Sequence, residues 1–140
     1  MIHQMMHKDV YDVVELIHDF CLRLYGPEYS RSAAFNEMYG NVRNPDALML
    51  VSKNKKKVGG VFIGHRHKLP FTNTVIMREV LWYSVDNSGL KLLSTAIEWA
   101  REYGVDQFYH TMVEPVDDKA IKILQRVGMT PVERSFVMKL

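Results

Sequence analysis

Cysteine is nearly absent from this 140-residue sequence, in which Cys21 is the only one. A single thiol forms neither an internal disulfide nor a multi-cysteine metal site, so the composition suits a reducing compartment. Cys21 lies in the apolar stretch Phe20-Cys21-Leu22. That setting favours a buried small side chain over a reactive nucleophile.

Long apolar runs are also missing. No stretch approaches the roughly 18 to 20 residues that cross a bilayer. The first residues, Met1-Ile2-His3-Gln4, lack the apolar centre of a signal peptide. We therefore expect a cytoplasmic protein without a membrane partner.

An excess of one charge is lacking as well, because 18 Lys and Arg stand against 16 Asp and Glu, for a net charge of +2. Nucleic-acid binding commonly uses a dense basic face, so no nucleic-acid partner is expected. Four lysines, at positions 53 and 55–57, do cluster around Asn54 between two strand-like runs. This pattern predicts the solvated tip of a hairpin.

The overall composition, with 47% hydrophobic and 24% charged residues, is typical of a folded domain. A chain of this length builds one stable core but not two, so residues 1–140 are predicted to form a single domain.

Hydrophobic periodicity predicts strands and helices in alternation. The polar segment 65–73 is predicted to be a loop. The predicted helices span 9–24, 30–39, 88–103 and 116–127, and the predicted strands span 2–6, 47–51, 58–64, 75–85, 105–112 and 132–139. This order indicates an α/β (α+β) fold in which helices cover a mixed sheet.

Three segments of the second half carry a family resemblance: 79–86 (EVLWYSVD), 88–93 (SGLKLL) and 98–104 (EWAREYG), followed by 120–129 (AIKILQRVGM). This succession resembles the GNAT superfamily of acetyl-CoA-dependent N-acetyltransferases over residues 45–140. It implies a GNAT-like, mostly antiparallel twisted sheet flanked by helices on both faces. Small chains of this kind with shortened turns also resemble proteins of tailed bacteriophages, some of them virion components.

The resemblance implies that acetyl-CoA binds as co-substrate where the strand turns into a helix. Free N–H groups and the helix dipole attract an anion such as a pyrophosphate at a helix start. In the family, the strand before the turn splays from its neighbour and pairs with the pantetheine arm. The implied cofactor-binding residues are Tyr83, Ser84 and Val85 at the strand end, and Asn87, Ser88, Gly89, Leu90 and Lys91 at the turn.

The turn itself departs from the family's pattern. Relatives have an Arg or Gln followed by Gly-x-Gly or Gly-x-Ala, whereas only Asn87-Ser88-Gly89 separates strand from helix here. A single glycine before a helix is also common as a plain connection. Lys91 either replaces the missing cation or is an exposed helix lysine.

Glu79 matches the strand position from which many relatives deprotonate the amine, directly or through water. A carboxylate serves as base at neutral pH if burial raises its pKa. The alternative is an ion pair with Arg78 or with a lysine of another strand.

The family's usual general acid, a tyrosine of the later helix, is replaced by Leu124. Tyr83 or Tyr109 is then either a substitute acid or a packing residue, and catalysis by proximity alone is a further alternative. His65 and His67 have no third potential ligand beside them in the sequence, so no metal site is expected. We predict instead that they lie in a loop bordering the acceptor site.

Two functions follow from these expectations. The first is transfer of an acetyl group from acetyl-CoA to a primary amine in a ternary complex, with Glu79 as base. The second is a catalytically eroded GNAT-like binding or virion-assembly protein, suggested by the short turn and by Leu124. A homodimer that pairs residues 132–139 across two copies is compatible with either function. The acceptor stays open among peptides, antibiotics, polyamines and protein lysines.

Overall fold

The computed structural model describes all 140 residues and is built around a five-stranded sheet in the order β1-β2-β3-β4-β5. The first four strands are antiparallel neighbours, whereas β5 runs parallel to β4. The strands are β1 (Ile2–Gln4), β2 (Ala47–Asn54), β3 (Lys57–Lys68), β4 (Val75–Ser84) and β5 (Gln107–Tyr109). The predicted mixed, mostly antiparallel sheet is thereby confirmed.

Four helices cover the sheet: α1 (Val10–Tyr25), α2 (Arg31–Asn41), α3 (Gly89–Glu102) and α4 (Asp118–Arg126). Helix α1 buries a stripe at three- and four-residue steps, which is why it packs on the sheet along one side. Its end is set by Gly26, whose φ of 63° is accessible to glycine at little cost. None of these helices has the length and apolar character needed to cross a membrane.

Two apolar clusters lie on opposite faces of the sheet. Successive side chains of a strand point to opposite faces. Val51 and Val61 therefore pack with α1, whereas Leu50 and Phe62 pack with α3 and α4. This alternation leaves the sheet apolar on both faces, as a layer between two helix pairs requires.

The hairpin between β2 and β3 partly corrects the prediction for its lysines. Lys55, Lys56 and Lys57 are exposed at the turn, as expected. Lys53 instead contacts Asp9, whose side chain is fully buried at the start of α1. A buried carboxylate requires a partner, and the neighbouring strand supplies one.

The predicted loop 65–73 is wrong in its first part, because β3 continues to Lys68. His65 pairs with Ala47 on one side and with Arg78 on the other. The backbone of β4 provides hydrogen-bond partners for β3 as far as Lys68. The polar side chains of this part of β3 therefore do not end the strand.

The predicted last strand, 132–139, is also wrong. Residues 129–140 have no regular secondary structure, and residues 130–140 are exposed, including Phe136 at 90%. The tail contacts the domain through two ion pairs, Glu133 with Arg78 and Lys139 with Glu28. A strand needs a partner edge, and the tail does not pair with β5, which itself is only three residues long instead of the predicted 105–112.

Candidate active site

Strands β4 and β5 separate partway along β4. They pair at three positions only, the last of which joins Arg78 to Tyr109. From Glu79 to Ser84, β4 pairs with β3 alone. The opposite edge of this segment therefore has no partner strand, and such an edge accepts an extended ligand as an additional strand.

A β-bulge lies next to the point of separation. Ile63 pairs with Leu81 but Gly64 pairs with Glu79, so Val80 is an extra residue in β4. Bulges re-aim the side chains around them. As a result, Val80 and Leu81 both line a cavity beneath α1 and α2.

Glu79 is buried at this position, with 8% of its surface exposed. Its Oε2 accepts a 3.5 Å hydrogen bond from the N–H of Thr111. Burial raises the pKa of Glu79 to about 7, and the Thr111 N–H opposes only part of that rise. Arg78 contacts Glu133 and the ring of Tyr109 rather than Glu79. A carboxyl group with this pKa exchanges protons near neutral pH.

His110 is the buried neighbour of Glu79 that the sequence did not single out. Its Nδ1 lies 3.4 Å from Oε2 of Glu79, without hydrogen-bond geometry, and its ring stands edge-on to Trp82 at 5.2 Å between centroids. Burial lowers the pKa of His110. Burial therefore favours the neutral imidazole and works against a charged ion pair with Glu79.

The two tyrosines considered as general acids both have packing contacts. The ring of Tyr83 stacks on Phe20 with centroids 4.7 Å apart. Tyr109 lies under the guanidinium of Arg78 at 4.9 Å and donates its hydroxyl to Gln107 at 3.3 Å. Leu124 is buried in the core. These contacts give each of the three side chains a structural role.

A third aromatic residue, Trp82, connects the strand end to the following helix. Its indole Nε1 donates a 2.8 Å hydrogen bond to the carbonyl of Gly89, in the first turn of α3. The end of β4 and the start of α3, which hold the implied cofactor-binding residues, are therefore fixed to each other.

The turn between β4 and α3 is organised by Asp86, a residue that the sequence interpretation did not assign to the site. Its carboxylate accepts hydrogen bonds from the N–H of Ser88 at 3.1 Å, from the Ser88 hydroxyl and from Ser52 Oγ at 2.9 Å. Partial burial raises the pKa of Asp86, but these hydrogen bonds outweigh it and lower the pKa below its usual value. Gly59 makes room, since a Cβ there would lie 2.3 Å from Asp86 Oδ2.

The implied pyrophosphate donors are therefore only partly free. The N–H groups of Gly89, Leu90 and Lys91 have no hydrogen-bond partner, as a bound phosphate requires. The Ser88 N–H is already taken by Asp86, which also brings a negative charge to the same helix end. The sequence signal for this arrangement is an Asp two residues before the Ser, a spacing typical of an Asx turn.

A cavity of about 380 Å³ lies on the α1 and α2 side of the bulge. Of its 15 lining residues, 11 are hydrophobic, and the only charged ones are Glu28 and Glu37. His65 and His67, predicted to border an acceptor site, do not line it. No group of three or more His, Cys, Asp or Glu side chains is arranged to hold a metal ion.

Neither a protein-family model nor a curated protein matches this sequence. Solved structures do match over the full chain. A transcriptional regulator from Bacillus halodurans C-125 superposes with a TM-score of 0.83 at 15% identity, covering 100% of this chain and 99% of that one. A ribosomal-protein-alanine N-acetyltransferase from Brucella melitensis biovar Abortus 2308 gives 0.78 at 13% identity, covering 100% and 98%.

AAC(6')-Iy, in complex with the bisubstrate analogue CoA-S-monomethyl-acetylneamine, gives a TM-score of 0.78 at 12% identity and covers 100% of this chain and 97% of that one. At such low sequence identity, a structural similarity shows a shared fold and no more. The chain has the fold of the GNAT acetyltransferases, as the resemblance in its second half implied.

Proposed function

We propose that this protein transfers an acetyl group from acetyl-CoA to a primary amine. The observation that carries the proposal is Glu79, a buried carboxyl group with a pKa of about 7 at the point where β4 and β5 separate. The GNAT fold supports it, since a protein of this fold binds a CoA bisubstrate analogue.

The thioester would reach Glu79 along the free edge of β4. In this proposal the pantetheine arm pairs with the backbone of Tyr83 and Ser84 and with the carbonyl of Val85, whose N–H already donates to the carbonyl of Gly59. This pairing places the acetyl group near the bulge. The unpaired N–H groups at the start of α3 and the exposed Lys91 then hold the pyrophosphate. The amine enters from the cavity under α1 and α2.

The chemical step begins when Glu79 takes a proton from the ammonium group, directly or through one water. The neutral amine nitrogen then attacks the thioester carbonyl carbon, a C–N bond forms, and the C–S bond breaks with release of the thiolate. The nitrogen loses its second proton to solvent as the amide forms, the thiolate takes a proton from solvent, and Glu79 releases its proton to solvent before the next turnover. No tyrosine donor is assigned, and a thiol with an ordinary pKa of about 8.5 is an acceptable leaving group.

The direct test is calorimetry with acetyl-CoA, followed by an assay of thiol release in the presence of amines. We expect saturable binding and an amine-dependent release of CoA. An absence of binding at millimolar acetyl-CoA would contradict the proposal.

A CoA-independent binding or assembly protein is the second candidate, and Asp86 favours it. A fixed carboxylate at the start of α3 repels a pyrophosphate at the site where the family binds one. Capture of a macromolecular partner that is unaffected by acetyl-CoA, together with no thiol release, would support this candidate over the enzyme.

A further inference from the structure

The charges in the cavity under α1 and α2 are all negative. Glu37 has no cationic partner in the structure, and Glu28 contacts only Lys139, at 3.5 Å. The side chains of that pair are 90% and 72% exposed, so the contact is weak and easily displaced. A molecule that enters the cavity therefore meets the unpaired carboxylate of Glu37 and that of Glu28, whose lysine partner is easily displaced, and no basic residue belongs to the lining.

The walls between these carboxylates are apolar. Met38, Met49, Ile63 and Leu81 are among the lining residues and belong to the core or pack against it. Since a cavity of about 150 Å³ holds benzene, one of this size holds on the order of fifteen non-hydrogen atoms. An acceptor with many hydroxyl groups would lose its hydration here without equivalent partners.

One buried polar atom in the lining lacks a partner. The hydroxyl of Tyr29 has no hydrogen bond, and its ring stands edge-on to His18 at 5.5 Å between centroids. Buried hydroxyl groups are rarely left unpaired, so this one is a site for a single hydrogen bond with a bound molecule.

The cavity also extends toward Glu79. Val80 and Leu81, next to Glu79 at the bulge, form part of its wall. Burial raises the pKa of Tyr25, another lining residue, and the charges of Cys21, Glu79 and Glu37 raise it further. The negative charges of Glu37, in the cavity, and of Glu79, the proposed base, therefore both act on Tyr25.

We infer that the acceptor is a small amine with one ammonium group on an apolar body, an arylalkylamine in chemical class, and without a carboxylate. The apolar walls hold the body, and the negative charges of Glu37 and Glu28 favour a cation in the cavity, from which the ammonium group reaches Glu79 for transfer. This inference rests on the proposed function for the transfer step, whereas the preference among amines is a property of the cavity.

The first experiment compares three amines. Phenethylamine has the inferred chemistry, phenylalanine adds a carboxylate to the same body, and kanamycin replaces the apolar body by a polyhydroxylated one with several amino groups. Binding is measured by ligand-observed NMR and calorimetry without acetyl-CoA, and acetyl transfer is then measured by thiol release. We expect phenethylamine to bind at least about tenfold tighter than phenylalanine, because a carboxylate would lie near Glu37 and Glu28. Equal or tighter binding of phenylalanine or kanamycin overturns the inference.

The second experiment changes the exposed residue Glu37, whose substitution leaves the core intact. Glu37→Gln should weaken phenethylamine binding roughly tenfold, and Glu37→Lys should shift the preference toward phenylalanine. Glu98→Gln, an exposed position on α3 at the other face of the sheet, is the matched control and should change nothing. Unchanged binding in Glu37→Gln overturns the inference.

The failures of the two proposals are distinguishable. If amines bind with the expected preference but no acetyl group is transferred, the proposed function is wrong and the preference of the cavity stands. If kanamycin is acetylated more efficiently than phenethylamine, the proposed function stands and the inferred acceptor class is wrong.

Discussion

The Nδ1 of His110 lies 3.4 Å from the Oε2 of Glu79, and burial shifts the pKa values of the two groups in opposite directions. The pKa of the carboxyl group rises to about 7, and that of the imidazole falls. Both shifts favour the neutral form, because a low-dielectric environment disfavours either charge. The contact with His110 therefore contributes to the burial of Glu79, and burial disfavours a charge on either group.

Replacing Glu79 tests its role as the base. Glu79→Gln keeps the shape of the side chain but cannot accept a proton, so kcat/KM for acetyl transfer should fall by about 10² to 10³, in the range of general base catalysis. Binding of acetyl-CoA, measured by calorimetry, should not change. The control is Glu98→Gln, and full activity in the Glu79 variant would show that transfer proceeds by proximity alone.

The pH dependence of acetyl transfer by the wild-type protein should report the same group. Glu79 acts as base only when ionised, so kcat/KM should decline about tenfold per pH unit below its pKa of about 7. In Glu79→Gln the break near pH 7 should disappear, and the residual activity should follow only the ionisation of the amine itself. A wild-type profile that is flat between pH 5 and pH 8 would contradict the assignment.

The free energy of unfolding should depend on pH through the ionisation of Glu79. Its pKa in the folded protein lies above the ordinary value of 4.5, so its contribution is fully favourable below pH 4.5 and is lost as pH rises through about 7. The free energy of unfolding of Glu79→Gln relative to wild type should thus increase by up to about 3 kcal/mol between pH 4.5 and pH 9. Urea unfolding at the two pH values measures this difference. A difference that does not change with pH would mean that folding does not raise the pKa of Glu79.

Neutralising Asp86 should strengthen CoA binding. Asp86→Asn retains the hydrogen-bond acceptor but removes a negative charge at the start of α3, where one charge contributes roughly two- to fivefold in affinity at low salt. Calorimetry with CoA measures the effect. Asp12→Asn, an exposed acidic position in the first turn of α1, provides the same change of charge at a distant site. Unchanged or weaker binding would show that the start of α3 does not hold the pyrophosphate.

Removal of residues 131–140 should leave the domain folded. Their side chains are exposed, and their only ion pairs join exposed groups, which contribute little. The midpoint of thermal unfolding should shift by less than about 4 °C, because such a loss is under about 1 kcal/mol. Sedimentation of both proteins completes the test. If the full-length protein is a dimer and the shortened one a monomer, residues 132–139 pair across two copies, the homodimer that the sequence left open.

The elements that the sequence specified correctly are those with strong local periodicity. Helix α1 was predicted at 9–24 and spans Val10–Tyr25, and β4 was predicted at 75–85 and spans Val75–Ser84. These segments carry their own apolar pattern and end signals, so few distant contacts are needed to define them. The match to the GNAT pattern lies in the second half of the chain, where β4 and the helix that follows it were predicted close to their observed bounds, which is why the fold was recognisable from sequence.

The tertiary structure alone decided the features that depend on distant neighbours. The tail has a strand-like pattern but no partner edge, and β3 runs past Ile63 into polar residues because β4 continues beside it. The raised pKa of Glu79 follows from its burial in the folded chain, and the N–H of Thr111, 32 residues away, opposes part of that rise. Local sequence determines backbone preference and side-chain chemistry, whereas burial and hydrogen-bond partners depend on residues far apart in the chain, which only the fold brings together.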